Sequence, residues 1–396
     1  MGATEWLDVP VGINAARRVT RQDCRTVLAV GHTVTSCERL LEAVELLESD
    51  WRVQVVWTQA PDAFSNGVSD FLRAAGGVVL PWEQARRQSF DLALACAYGS
   101  LNQLHAPVVV MPHGAGYAKG KVVSGTTRPY GLDSQRLLHN GNPVARLVVL
   151  SHEKQLDVLR EQCPEAVGVA EVIGDLCYDR LVASIPCRDS YREALGVTPE
   201  QELVVVASTW GATSLFGMHL ELLPRLLTEL TPDRFRTAVL VHPAVWFGHG
   251  PRQVRAWLSD CVDAGLLVFP PDLDWRAVLV AADHVLGDHG STATYAAAIG
   301  KPVLLVDSPP HLAVADTAPQ SVLAGLAPRL RLDQPMPAQL RAGARAAAAV
   351  APAVSSRPAL AAGNLRRAFY RLLGLSQPGS HRALAPVPVP HDWRRP

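Results

Sequence analysis

The chain has 396 residues, long enough for two domains, and 48% of them are hydrophobic. Lysine plus arginine number 37 and aspartate plus glutamate 37, so the formal net charge is zero. That balance excludes a nucleic-acid binder working through a broad basic face, though not a local cationic pocket.

The N-terminal stretch up to Val19 lacks the charged-then-apolar order of a secretory leader. Nowhere does an apolar run reach the ~18 residues of a membrane span; the Ala-rich stretch 342–354 is interrupted by Arg345 and Pro352. The seven cysteines, Cys24, Cys37, Cys96, Cys163, Cys177, Cys187 and Cys261, form no C-x-x-C pair. An odd count in a long chain reads as reduced thiols in a cytoplasmic protein, most of them filling core space.

Short apolar runs then alternate with amphipathic stretches. Strands are expected at 26–30, 53–57, 92–95, 108–111 and 147–150, and again at 203–207, 237–241, 266–269, 284–286 and 303–306. Many lack polar alternation, as parallel strands covered on both faces do. A helix is expected over 36–48, opened by a capping box of Thr35 and Glu38. The βα alternation predicts two doubly wound sheets. The polar, two-proline segment 184–200 suggests a boundary, giving domains 1–190 and 191–375. The Pro-rich residues 376–396 are read as a flexible tail.

Four segments carry candidate chemistry. At 108–121, a buried strand ends in His113 and Gly114, with Lys119 and Lys121 following. A histidine at the carboxyl end of a parallel strand lies where open α/β sheets hold ligands, and its ordinary pKa near ~6.5 suits a base for an acceptor hydroxyl. A histidine held by backbone in a turn would read the same way. Two textual near-misses here, a dinucleotide fingerprint one residue too long and a P-loop without its first glycine and final hydroxyl, are rejected.

At 203–217 a strand opens into Ser208, Thr209 and Trp210. At 239–246 another ends in His242, which can share work with His113, one taking the acceptor proton and the other steadying phosphate oxygens. At 282–305 a strand runs into Gly287, Asp288, His289, Gly290, Ser291 and Thr292 before a small-residue helix. Open N–H groups and the positive dipole end of that helix suit an anion, worth ~0.3–2 kcal/mol. Asp288 would repel phosphate and fits better as an orienting group or a partner for a ribose hydroxyl. Ordinary helix capping would use the same residue types. His32, after the first strand, is a weaker candidate for the acceptor side. Asp283 and His284 lie close to Asp288 and His289 in sequence, but strand alternation directs them to opposite faces, so no metal site is assigned. No cofactor is expected.

These blocks, in this order, resemble the CDP-glycerol glycerophosphotransferase family of teichoic-acid polymerases, over roughly residues 108–306. The matching stretches are 113–119, 174–179, 207–211, 241–243, 287–291 and 300–302. The resemblance implies a GT-B fold, two Rossmann-like doubly wound domains facing a central cleft. It implies catalytic roles for His113 and His242. It implies a donor site of Ser208, Thr209, Trp210, Gly287, Asp288, His289, Gly290, Ser291 and Thr292, and an acceptor side of His32, Gly114 and Lys119. The reaction it implies moves a glycerophosphate-like or glycosyl group from a nucleotide-diphosphate donor to an acceptor hydroxyl. Peripheral membrane contact is compatible with it. Two family arginines are absent: Cys177 and Gly211 stand in their places. A non-catalytic GT-B-like binding protein and a sugar-nucleotide epimerase are the competing readings.

Overall fold

The protein is described by a computed structural model that covers residues 6–12, 15–123, 126–307, 313–379 and 383–391. Its described residues form two compact units. The first draws on 1–117, 130–177 and 356–381; the second on 118–129, 178–355 and 382–396.

In the first unit seven strands form a parallel sheet. They are β1 (Arg25–Gly31), β2 (Val53–Gln59), β3 (Val79–Leu80), β4 (Leu92–Ala95), β5 (Val108–Val110), β10 (Leu147–Leu150) and β11 (Ala170–Val172). Their spatial order is β11-β10-β5-β4-β1-β2-β3. Between β5 and β10 lie two antiparallel pairs, β6 (Gly120–Val123) with β7 (Thr126–Pro129) and β8 (Leu138–His139) with β9 (Asn142–Pro143). The second unit has a five-stranded parallel sheet of β12 (Glu202–Ser208), β13 (Phe235–Val241), β14 (Leu267–Phe269), β15 (His284–Gly287) and β16 (Val303–Leu305), in the order β14-β13-β12-β15-β16.

Both sheets are filled as the apolar runs require. Val27–Val30 and Leu92–Ala95 are fully buried, as are Val204–Val206 and Leu286, because helices cover both faces of a parallel sheet. In each sheet the strand order reverses once, between β1 and β4 and between β12 and β15. Such a switch point leaves a crevice outside the carboxyl ends of the strands. All ten expected strands are present, with ends shifted by at most two residues.

Three expectations are corrected. The first helix spans Val34–Val44, and its capping box is made by Thr33 and Ser36, not Thr35 and Glu38. The serine hydroxyl closes the box over one turn and removes the need for a carboxylate. Nor does the chain divide once near 190. Residues 118–129 belong to the second unit, and the chain returns to the first at Ser356. The helix Ala361–Leu373 packs there through Leu365, Ala368, Phe369 and Leu373. Its Tyr370 hydroxyl donates to Asp50 Oδ2 at 2.8 Å, and Asn364 Nδ2 to the Ile173 carbonyl at 3.0 Å.

The third correction concerns the tail. Val387 is 3% exposed. Its N–H donates to Ser184 Oγ at 2.9 Å, and its carbonyl accepts from the buried Tyr191 hydroxyl at 2.5 Å. This stretch is docked, not free. Residues 380–382 and 392–396 of the expected tail lie outside the described residues. All seven cysteines are free thiols, five of them buried.

Candidate functional site

The two expected sites lie on different units. His113 and Gly114 follow β5 in the first; the loops after β12, β13 and β15 belong to the second.

In the first unit His113 is exposed, and its Nδ1 lies 2.9 Å from the Cys96 carbonyl, just beyond β4. A carbonyl can only accept, so Nδ1 carries a proton, and in the neutral ring Nε2 holds the lone pair. That is the tautomer of a general base. Arg39, on the helix after β1, supports the loop from behind: its Nε donates to the His113 carbonyl at 3.3 Å, while Nη1 pairs with the buried Glu42 at 3.3 Å. Sequence reading missed Arg39, because nothing local distinguishes it from any helical arginine. His32 lies nearby on the same switch point but is fully buried, and its Nε2 donates to the Gly99 carbonyl at 2.7 Å. Burial holds its pKa below the usual histidine value. A ring without exposed surface cannot meet an acceptor, so its assignment to the acceptor side is withdrawn.

In the second unit the adjacent strands β12 and β15 pair up to Ala207 and Gly287, which brings their outgoing loops together. Asp288 staples them. Its Oδ2 accepts from Thr209 N at 2.9 Å, Thr209 Oγ1 at 2.7 Å and Leu215 N at 3.0 Å; Oδ1 accepts from Gly290 N at 3.1 Å. Both oxygens are engaged and the residue is 3% exposed, a geometry that matches the orienting group of the two alternatives. Ser208 is likewise structural: its hydroxyl donates to the Thr209 carbonyl and accepts from Phe216 N at 2.9 Å.

Close approach explains two of the glycines. A Cβ at Gly290 would stand 2.6 Å from Thr209 Cγ2, and one at Gly287 2.6 Å from Ala293 Cβ. Gly290 opens the helix Ser291–Ala298, whose start receives no side-chain cap. Ser291 and Thr292 are half-buried in its first turn, with Ser291 Oγ accepting from Gln320 Nε2 at 3.3 Å. His289 immediately precedes this helix start. His289 Nε2 faces Thr209 Oγ1 at 3.5 Å, and its Nδ1 is buried without a partner. Burial lowers the His289 pKa, Asp288 raises it and Lys119 lowers it again. A cavity of about 120 Å³ adjoins this cluster, lined in part by His289, Thr294, Leu305, Gln320 and Arg329.

Lys119, expected on the acceptor side, lies here instead. Its Nζ is 4.4 Å from the centroid of the Trp210 ring. This is a correction in placement: the strand that follows His113 and Gly114 is built into the second unit.

His242, after β13, is half-buried and caps its own helix, Pro243–His249: Nδ1 accepts from Ala244 N at 3.0 Å. The accepting nitrogen holds the lone pair, so in the neutral ring Nε2 carries the proton. Asp283 accepts from Arg188 at 2.5 Å, Arg192 at 2.7 Å and Leu203 N at 2.8 Å, and His284 pairs with Glu202 at 2.7 Å. Both are structural. The two positions where the sequence resemblance would place arginines are constrained locally. Cys177 is 2% exposed, and Gly211 has φ +88°, where an arginine would be strained.

No family model matches the chain, and no curated protein matches it. Solved structures do. A variant of the wall teichoic acid polymerase TagF aligns at 13% identity over 89% of this chain and 89% of that one, with a TM-score of 0.56. The same polymerase variant soaked with CDPG aligns over 71% of this chain and 69% of that one, at 14% identity and a TM-score of 0.49. Alr3699/HepE of Anabaena in complex with UDP-glucose aligns over 88% of this chain and 99% of that one, at 13% identity and a TM-score of 0.48. The chain has a GT-B-like fold built of two Rossmann-like units.

Proposed function

We propose that this chain is a transferase that moves a glycerophosphate-like or glycosyl group from a nucleotide-diphosphate donor to an acceptor hydroxyl. The observation that carries this reading is the second unit's switch point. There the Asp288 staple ties the loop after β12 to the start of the Ser291–Ala298 helix, which receives no side-chain cap, and His289 lines a cavity beside it. A diphosphate accepted by the first-turn N–H groups would lie where an open α/β sheet holds anions.

The two histidines support a division of labour. His113, protonated at Nδ1 by its bond to Cys96, has a basic Nε2 to accept the acceptor's hydroxyl proton. His242, accepting at Nδ1, offers Nε2–H as a donor to a phosphate oxygen. In glycerophosphate transfer the acceptor oxygen forms a bond to the β-phosphorus. The bridging P–O bond breaks, and the nucleoside monophosphate leaves with the electron pair, while the acceptor's proton passes to His113. In glycosyl transfer the new bond forms at the anomeric carbon and the nucleoside diphosphate leaves. Positioning and charge stabilisation supply most of the acceleration, and the base ~10²–10⁴-fold.

A thermal-shift series with CDP, UDP, GDP and ADP tests the donor site, since a ligand at a hundredfold excess over Kd adds ~2.7 kcal/mol. Turnover assays with CDP-glycerol and UDP-glucose then test His113→Ala, expected to lose ~10²–10⁴-fold in kcat with donor affinity retained. Full turnover in that variant removes His113 from the mechanism. Binding without turnover in the unaltered protein would favour the non-catalytic reading.

A further inference from the structure

Residues 118–129 leave the first unit's succession of strands and are built into the second. Gly120 N donates to the Ala313 carbonyl at 3.0 Å, Ala315 N to the Ala118 carbonyl at 2.8 Å, and Lys119 bridges to Val314 as an antiparallel pair. This backbone pairing fixes where Lys119 emerges. Its side chain has no hydrogen-bonding carboxylate among the described contacts; the contact it makes is with the face of Trp210, at 4.4 Å.

The rest of the β6–β7 hairpin points the same way. Lys121 stands directly opposite Arg128 in the ladder, and strand alternation puts Lys119 on the face of Lys121. Like charges directly opposite each other cost stability, and an anion lying over them offsets that cost. Lys119 is the member of this row that reaches the donor loops: it acts electrostatically on His289, at the helix start. Asp288, a carboxylate of those loops, has both oxygens occupied by Thr209, Leu215 and Gly290.

We infer that Lys119 is a donor-binding residue whose ammonium contacts the diphosphate of the nucleotide. The inference rests on the donor site proposed above and adds to it a contact to phosphate oxygen. Trp210 holds the lysine stem and head in place before the ligand arrives, through a cation–π contact. Partial desolvation keeps the ammonium's pKa below the ordinary lysine value, although the residue as a whole is exposed. An arriving diphosphate reverses that shift, so binding takes up protons at alkaline pH.

Calorimetric titration of the full chain with CDP, UDP, GDP and ADP, each beside its nucleoside, tests this. Lys119→Ala is expected to weaken the diphosphate about 10- to 100-fold, the range of a hydrogen bond to a charged group, and to leave nucleoside affinity unchanged. Lys119→Arg is expected to restore diphosphate affinity and abolish its decline at alkaline pH, because a guanidinium does not titrate there. Diphosphate affinity equal to that of the unaltered chain in Lys119→Ala overturns the inference and leaves the donor site standing. So does a parallel loss of nucleoside and diphosphate, which would make Lys119 a structural residue. Failure of the unaltered chain to bind any of the four nucleotides overturns the donor site and this inference with it.

Discussion

Replacing Asp288 by asparagine keeps the shape of the staple between the loops after β12 and β15 and removes its charge. In the native chain one oxygen takes three donors, Thr209 N, Thr209 Oγ1 and Leu215 N, and the other takes Gly290 N. Asparagine can keep its carbonyl toward the three. Its amide then faces the Gly290 N–H, donor against donor, and that bond is lost. Hydrogen bonds to a charged group are worth ~1.5–3 kcal/mol and neutral ones ~0.5–1.5. Four weakened or broken bonds, less the relief from no longer burying a carboxylate, give a net loss of about 2–4 kcal/mol. Urea unfolding followed by tryptophan fluorescence should show a lower midpoint for the second unit at unchanged slope. Hydrogen exchange at the Thr209 and Leu215 amides should accelerate. A loss below about 1 kcal/mol, or unchanged exchange at both amides, would refute the view that Asp288 is spent on scaffolding and would return it to ligand binding.

The clasp that closes the first unit should be pH-sensitive. The Arg52 guanidinium, with help from the Tyr370 hydroxyl, holds the Asp50 carboxyl well below the usual carboxylate range. Its contribution is therefore complete above the unfolded value near ~3.9 and fades as pH falls below it; in Asp50→Asn the melting temperature should depend less on pH in that acid range. Tyr370→Phe should cost about 1–3 kcal/mol by leaving a buried acceptor short of a donor, measured by chemical denaturation at neutral pH. Removing the residues after Gly379 strips Val387 from Tyr191 and Ser184. The second unit's transition should then fall, with Tyr191→Phe reproducing part of the change; an unchanged transition would mean that the docked stretch adds no stability.

The strands were legible because parallel strands covered on both faces need continuous apolar runs, and Val27–Val30 or Val204–Val206 admit little else. The pairs β6–β7 and β8–β9 were not: β8–β9 does carry a two-residue turn, Asn140-Gly141, both at positive φ, but its strands are two residues long and too short to show a period. The helix start at Gly290 could be anticipated from a glycine and hydroxyls after a strand. What those hydroxyls do could not. Ser208 and Thr209 bond to the loops themselves, because the carboxylate that recruits Thr209 lies in the loop after another strand. The histidine tautomers were equally hidden: each depends on a backbone partner, the Cys96 carbonyl for His113 and the Ala244 amide for His242. The Lys119–Trp210 contact joins segments far apart in sequence, and only the register of the chain beside Val314 brings them together.

The return of the chain at Ser356 has a consequence for biosynthesis. The last strand of the first sheet, β11, is made about 190 residues before the helix Ala361–Leu373 that packs on that unit. At ~5–20 residues per second the ribosome needs roughly 10–40 s to cover that distance. Through this interval the nascent first unit presents, unclosed, the surface that Phe369 and Leu373 later cover and the Asp50 carboxylate that Tyr370 later meets. Neither unit is encoded by one uninterrupted stretch, so a cut placed anywhere between the two sheets yields halves that each lack a piece of themselves.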